Sequence, residues 1–118
     1  VKRVRKIIGP HKIIGVSAHN LKEALAAKED GADYLGVGAM FNTSTKDDAT
    51  AVSFTQLHEI TTKIGLPVVA IGGINQDNCL LLKGTKIDGI AVVSAIMSAP
   101  DIKEAAAKLK ARARGIYD

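Results

Sequence analysis

The sequence predicts an α/β fold built on a parallel sheet, and three observations carry that prediction. Four short segments, 12–17, 34–38, 67–72 and 89–94, are nearly continuous runs rich in Val, Ile, Leu and Gly. Each is too short for a typical helix and ends in Ser or Gly, the pattern of strands buried on both faces. Between them stand stretches with helical periodicity, and strands that alternate with helices mean parallel pairing through right-handed crossovers.

Taken in order, residues 1–8 read as the end of a helix from a preceding unit, closed by Gly9-Pro10, so the chain reads as beginning mid-fold. The first strand, 12–17, leads into a helix over 20–30, with Leu21, Ala24, Leu25 and Lys28 at helical spacing, Asn20 as N-cap and Gly31 as the stop. The second strand, 34–38, is followed by a polar loop and a helix over 53–64. Ser53 caps that helix, Leu57, Ile60 and Ile64 share one face, and Gly65 closes it. After the third strand, 67–72, the pattern supports only a weaker helix over 76–83. The fourth strand, 89–94, precedes the clearest helix, with Pro100 in its first turn, Asp101 and Glu104 at its positive end, and Lys108, Lys110, Arg112 and Arg114 at its negative end. Four βα units in this order are half of a TIM-type (β/α)8 barrel, whose sites gather at the strand C-termini.

Composition narrows the function. At 118 residues the chain holds one domain, and 47% hydrophobic with 24% charged residues is the mix of a globular rather than a disordered protein. No apolar stretch approaches the length of a membrane helix, and the basic start lacks the apolar core and cleavage site of a signal peptide. The single cysteine, Cys79, has no internal partner and fits a reducing cytoplasm. A net charge of +4, spread along helices, and 3% aromatic residues argue against nucleic acid as the partner.

The strand ends carry the candidate chemistry. The first runs Gly15-Val16-Ser17-Ala18-His19, and the second Gly36-Val37-Gly38-Ala39-Met40-Phe41 before the loop 42–48, which contains Thr43, Thr45 and Lys46. The third ends Ile71-Gly72-Gly73-Ile74 and the fourth Val92-Val93-Ser94-Ala95. A phosphate site wants exposed backbone N–H groups, small side chains that admit an anion, hydroxyls and a positive charge. The Gly72-Gly73 and Ser94 turns offer the first two, on what would be the seventh and eighth strands of a barrel, the usual place for a phosphate. Thr43, Thr45 and Lys46 offer the rest.

The segments 13–19 (IIGVSAH), 30–38 (DGADYLGVG), 43–46 (TSTK), 67–74 (PVVAIGGI) and 88–96 (DGIAVVSAI) resemble the thiamine-phosphate synthase family in order and spacing. The resemblance covers nearly the whole chain but only the last four βα units of the family's barrel. It implies a transferase that joins hydroxymethylpyrimidine diphosphate to hydroxyethylthiazole phosphate. The C–O bond to pyrophosphate breaks, the thiazole nitrogen captures the pyrimidine cation, and thiamine phosphate and pyrophosphate leave. By position it implies Lys46 and Ser17 as catalytic contacts to pyrophosphate, and Thr43, Thr45, Gly73, Val93 and Ser94 as the holders of the thiazole phosphate. It also implies magnesium, although the family's two metal-binding aspartates, its Arg/Lys pair and its pyrimidine contacts come from an N-terminal half that these residues do not include. Asp47 and Asp48, beside Lys46, do not replace them, so no metal site is expected in this chain. The family's usual prolines before Thr-x-Thr-Lys are Ala39 and Asn42 here.

Each residue also has a plain structural reading. Ser17 and Ser94 suit strand ends that bond local backbone, Lys46 a solvated loop, Thr43 and Thr45 a turn, and Gly72-Gly73 a tight connection. His19 is read as a residue that caps the next helix or rests half-buried rather than as an acid–base group, His11 and His58 as exposed or structural, and Cys79 as a small core residue. Two alternatives to the synthase stay open: a thiazole tautomerase-like protein, against which the intact Thr-Ser-Thr-Lys and Val-Ser-Ala-His argue, and a non-catalytic phosphate-binding half-barrel. The 118 residues alone are expected to be inactive, and their open strand edges predict either self-association or a partner half-barrel.

Overall fold

The computed structural model describes residues 2–41 and 52–116. In chain order they form α1 (Lys2–Ile8), β1 (Gly15–Ala18), α2 (Leu21–Glu29), β2 (Tyr34–Val37), α3 (Phe54–Lys63), β3 (Val68–Ala70), a 3₁₀ turn (Cys79–Leu82), β4 (Gly89–Ile90), α4 (Ser94–Met97), α5 (Ile102–Ala113) and a closing 3₁₀ turn (Arg114–Ile116). The four strands make one parallel sheet in the order β1-β2-β3-β4. One row of the register runs Ser17, Gly36, Val69, Gly89 across all four.

Alternation along the strands divides the sheet into two faces. On the outer face Ala18, Leu35, Val37, Val68 and Ala70 are buried in one cluster with Ala24 and Ala27 of α2, Leu57 and Ile60 of α3, Ile64, and Leu109 of α5. The inner face carries Gly15, Ser17, Tyr34, Gly36, Val69, Ile71 and Ala91, which line an open trough. Burial on both faces, as the continuous apolar runs suggested, is therefore corrected. Helices cover the outer face, while no described element covers the inner one, and Gly15 and Ser17 of β1 are exposed.

Local chemistry explains where the elements start. Asn20 accepts from the Glu23 N–H at 2.8 Å to begin α2. Ser53 begins α3 with a reciprocal capping box, the Gln56 N–H donating to Ser53 Oγ at 3.1 Å and the Ser53 N–H to Gln56 Oε1 at 3.0 Å. Asp101 accepts from the Glu104 N–H to begin α5, so Pro100 precedes the cap and is not in the first turn. Helix α2 turns Ala24 and Ala27 to the sheet and leaves Leu25 48% exposed, so Leu25 is not part of the packed stripe.

Other expectations shift as well. The stretch 76–83 is only a 3₁₀ turn, because Asn75 and Asn78 spend their side chains on the local backbone. The fourth strand stops at Ile90, and Ser94 opens the short α4 instead of ending a strand.

Two aspartates hold the N-terminal ends of the strand pairs in the same way. The Asp33 N–H donates to the Ile14 carbonyl at 2.8 Å, and its carboxylate accepts from the Ile14 N–H at 2.7 Å. Asp88 repeats both bonds with Val68, each at 2.8 Å. Arg5 of α1 adds a 2.7 Å ion pair to Asp33 and donates to the carbonyls of Gly9, Lys12 and Gly31. These ties fix the end of the sheet opposite the candidate site.

Candidate functional site at the strand C-termini

The exits of β3 and β4 enclose a cavity of about 320 Å³, lined by Ile71, Gly72, Gly73 and Ile74 from one strand end and Ala91, Val92 and Val93 from the next. Two of the residues expected to hold a phosphate, Gly73 and Val93, thus face each other across one small space. Ser94 follows Val93 directly, as the first residue of α4. Ser17 is not in this cavity. It lies in the adjoining trough of about 690 Å³, which shares the walls Ile71 and Ala91 with the smaller space. Thr43, Thr45 and Lys46, like Asp47 and Asp48, lie outside the described residues.

The Gly72-Gly73 turn is built for close approach. Their φ angles are +95° and +67°, in the region that side chains strain. A Cβ on Gly72 would stand 2.6 Å from Ala39 Cα, and one on Gly73 would stand 2.5 Å from the Phe41 carbonyl oxygen. Two backbone bonds hold this contact: the Met40 N–H donates to the Ile71 carbonyl at 2.9 Å and the Phe41 N–H to the Gly72 carbonyl at 3.0 Å. Val52, where the described chain resumes, donates to the Ala39 carbonyl at 2.8 Å. Both flanks of the segment that carries Thr43, Thr45 and Lys46 are therefore anchored beside the glycine pair.

Asn78 belongs to the site although its chemistry is not conspicuous in the sequence. Its Nδ2 donates to the Gly73 carbonyl at 2.9 Å, while the Asn75 N–H donates to Asn78 Oδ1 at 2.8 Å. The side chain so held sets the plane of the peptide that leaves Gly73. The spacing Gly73-x-Asn75-x-x-Asn78 was the available signal, since Asn after a strand exit commonly closes an Asx turn. Ile71 and Ala91, the shared walls, were visible only as inward positions of their strands.

His19 is exposed and precedes the N-cap Asn20, which begins α2 in its place. Its backbone N–H and its Nδ1 both reach Glu23 Oε1, at 2.9 and 2.8 Å, in the first turn of α2. These two bonds from His19, the side-chain one first, hold the Glu23 carboxyl below its ordinary range. His11 and His58 are exposed, and Cys79 is fully buried. Among the described residues no group of three or more His, Cys, Asp or Glu could hold a metal ion, and no helix is long and apolar enough to cross a membrane.

Four parallel βα units with a small cavity at the C-terminal strand ends define a protein of the βα-barrel class, and the cavity lies at the end of the strands where barrels gather their sites. Comparison with known proteins narrows the class. A family model described as thiamine monophosphate synthase matches residues 1–96. The thiamine-phosphate synthase of Ruminiclostridium cellulolyticum is 58% identical over 106 residues, covering 90% of this chain and 50% of that protein. That of Clostridium tetani is 55% identical over 106 residues, covering 90% of this chain and 51% of that protein. Among solved structures, the thiamine phosphate pyrophosphorylase of Pyrococcus furiosus superposes with a TM-score of 0.88 at 41% identity, over 99% of this chain and 55% of that one.

The chain belongs to the thiamine monophosphate synthase family. It spans about half the length of the curated relatives it matches.

Proposed function

We propose that residues 1–118 act as one unit, the C-terminal half of a thiamine-phosphate synthase, and that they supply its thiazole phosphate pocket. The observation that carries this reading is the 320 Å³ cavity bounded by Gly73 and Val93 at neighbouring strand ends. Gly73 lines the space, and Asn78 Nδ2 holds its carbonyl by a 2.9 Å hydrogen bond. Ala91, Val92 and Val93 line the opposite wall, and the family resemblance assigns Ser94, Thr43 and Thr45 as further donors for a phosphate monoester.

Lys46 and Ser17 take the pyrophosphate end of the reaction. As the C–O bond of hydroxymethylpyrimidine diphosphate breaks, negative charge gathers on the leaving pyrophosphate, where an ammonium and a hydroxyl stabilise it. The thiazole nitrogen then donates its lone pair to the pyrimidine methylene carbon, giving thiamine phosphate. The chain's share of the work is to hold one ring by its phosphate and to receive the leaving group. The shared walls Ile71 and Ala91 between the cavity and the Ser17 trough support this arrangement, since the two subsites are then adjacent.

Magnesium is an expectation from the family. Among the described residues no cluster of His, Cys, Asp or Glu fits it. The complete reaction requires a second half-barrel, and a cytoplasmic setting suits both the free Cys79 and the phosphorylated substrates.

Calorimetric titration with hydroxyethylthiazole phosphate, against the unphosphorylated alcohol, tests the reading. Binding of the phosphate at least about tenfold tighter than the alcohol is expected, the worth of one or two charge-assisted hydrogen bonds. Equal affinities, or no heat with either, would remove the phosphate pocket.

A further inference from the structure

We propose that Arg112 of α5 is a positioning residue for the cavity between the exits of β3 and β4, holding from outside the loop that orients the Gly73 peptide. The role rests on the phosphate reading above, and its test separates the two.

The loop 75–78 is a small body bonded to itself. Asn75 Oδ1 accepts from the N–H groups of Asp77 and Asn78, at 2.9 and 3.0 Å, and the Asn75 carbonyl accepts from the Cys79 N–H at 2.9 Å. Asn78, which accepts from the Asn75 N–H, passes this rigidity to the Gly73 carbonyl through Nδ2. In a planar trans peptide the carbonyl and the following N–H point to opposite sides. The bond from Asn78 therefore also aims the Ile74 N–H, which donates to no described residue and belongs to a residue that lines the cavity.

Packing does not fix where this body sits. A gap of about 190 Å³ separates Asn75, Gln76 and Asp77 from the small side chains of Ala95, Ala99 and Ala105. Side chains that border a void forgo contacts on that side, so they hold the loop weakly. A directed bond supplies what packing does not: Arg112 Nε donates to the Gln76 carbonyl at 3.2 Å, across 36 residues of sequence. Among the described residues, no other group from outside residues 73–81 hydrogen-bonds this loop.

The same helix is tied to the opposite wall of the cavity. The Ile96 and Met97 N–H groups of α4 donate to the Val93 carbonyl, at 3.2 and 2.8 Å, and residues 98–101 join α4 to α5. Gly73 and Val93 are thus both referred to α5, the first through one side-chain bond and the second through the chain itself. The Arg112 bond sets their separation.

Calorimetry with hydroxyethylthiazole phosphate and with its alcohol, on the unaltered protein and its variants, tests the role. Arg112 is exposed and alanine suits a helix interior, so Arg112→Ala should shift Tm by less than about 2 °C. It should weaken the phosphate ester about threefold and leave the alcohol unchanged, the worth of part of one hydrogen bond. Lys110→Ala removes the same charge from an exposed position nearby without a bond to the loop, and should change neither affinity. On an Asn78→Ala background, Arg112→Ala should have no further effect, because the link to Gly73 is already cut. Unchanged phosphate binding in Arg112→Ala would overturn the role. So would an equal loss in Lys110→Ala, a loss that persists in full on the Asn78→Ala background, or one that comes with a large fall in Tm. If the unaltered protein does not distinguish the phosphate from the alcohol, the phosphate pocket itself falls, and the role of Arg112 with it.

Discussion

Replacing Gly72 by Ala probes the turn on which the candidate site rests. Two costs add at this position. An alanine at φ +95° is strained, at about 1–2 kcal/mol. Its Cβ would also meet Ala39 Cα and Cβ at 2.6 Å and Met40 N at 3.1 Å. Backbone cannot swing away as a side-chain tip can, so this overpacking costs about 1–3 kcal/mol more. Gly84 separates the two effects: its φ is +90°, but nothing lies within 4 Å of its Cβ position. Gly84→Ala therefore carries strain without collision. For a chain of this length 1 kcal/mol corresponds to about 4 °C in Tm, so Gly72→Ala should lower Tm by about 8–20 °C and Gly84→Ala by about 4–8 °C. Thermal denaturation followed by circular dichroism reads both. Equal losses in the two variants would refute the claim that the glycine pair is required by its approach to residues 39–41.

Other outcomes follow from named contacts. Hydrogen bonds from Arg5 first, and then from the Ile14 N–H, hold the Asp33 carboxyl below its ordinary range. A carboxylate depressed on folding stabilises above its unfolded pKa and loses that contribution as pH falls through the folded one. Asp33→Asn should therefore be less stable at neutral pH and show a flatter decline below about pH 4 in urea titrations at stepped pH. Ser53→Ala removes one side of the capping box and should cost about 1 kcal/mol by denaturant midpoint. A loss below the error of that measurement would discount the box. Asn78→Ala frees the Gly73 carbonyl, and calorimetry should show thiazole phosphate binding weakened about three- to tenfold with little change in Tm. A large Tm loss with unchanged affinity would make Asn78 merely structural.

Much of this architecture is legible in the chain because it is locally encoded. The strands around Gly15, Tyr34, Val68 and Gly89, and the caps Asn20, Ser53 and Asp101, depend on short patterns that neighbouring residues supply. What escapes is non-local or too short to have a period. Arg5 meets Asp33 across 28 residues of sequence, and no spacing announces it. Helix α4 is only four residues long, so Ser94 reads as a strand end. Leu25 fits the helical stripe of α2, yet small residues win the close approach to the sheet, and Ala24 and Ala27 are buried in its place. At the site, Gly73 and Val93 come together because adjacent parallel strands end side by side. Ser17 falls in the neighbouring trough because β1 lies two strands away from β3.

The central claim is that a phosphate ester binds between the exits of β3 and β4. Amide NMR of the chain titrated with hydroxyethylthiazole phosphate tests it most directly. The account predicts that the largest shifts fall on Gly73, Val93 and Ser94, with Tyr34 at the far end of the trough unmoved. Shifts centred on Tyr34 and Val69, or none at saturating ligand, would contradict it.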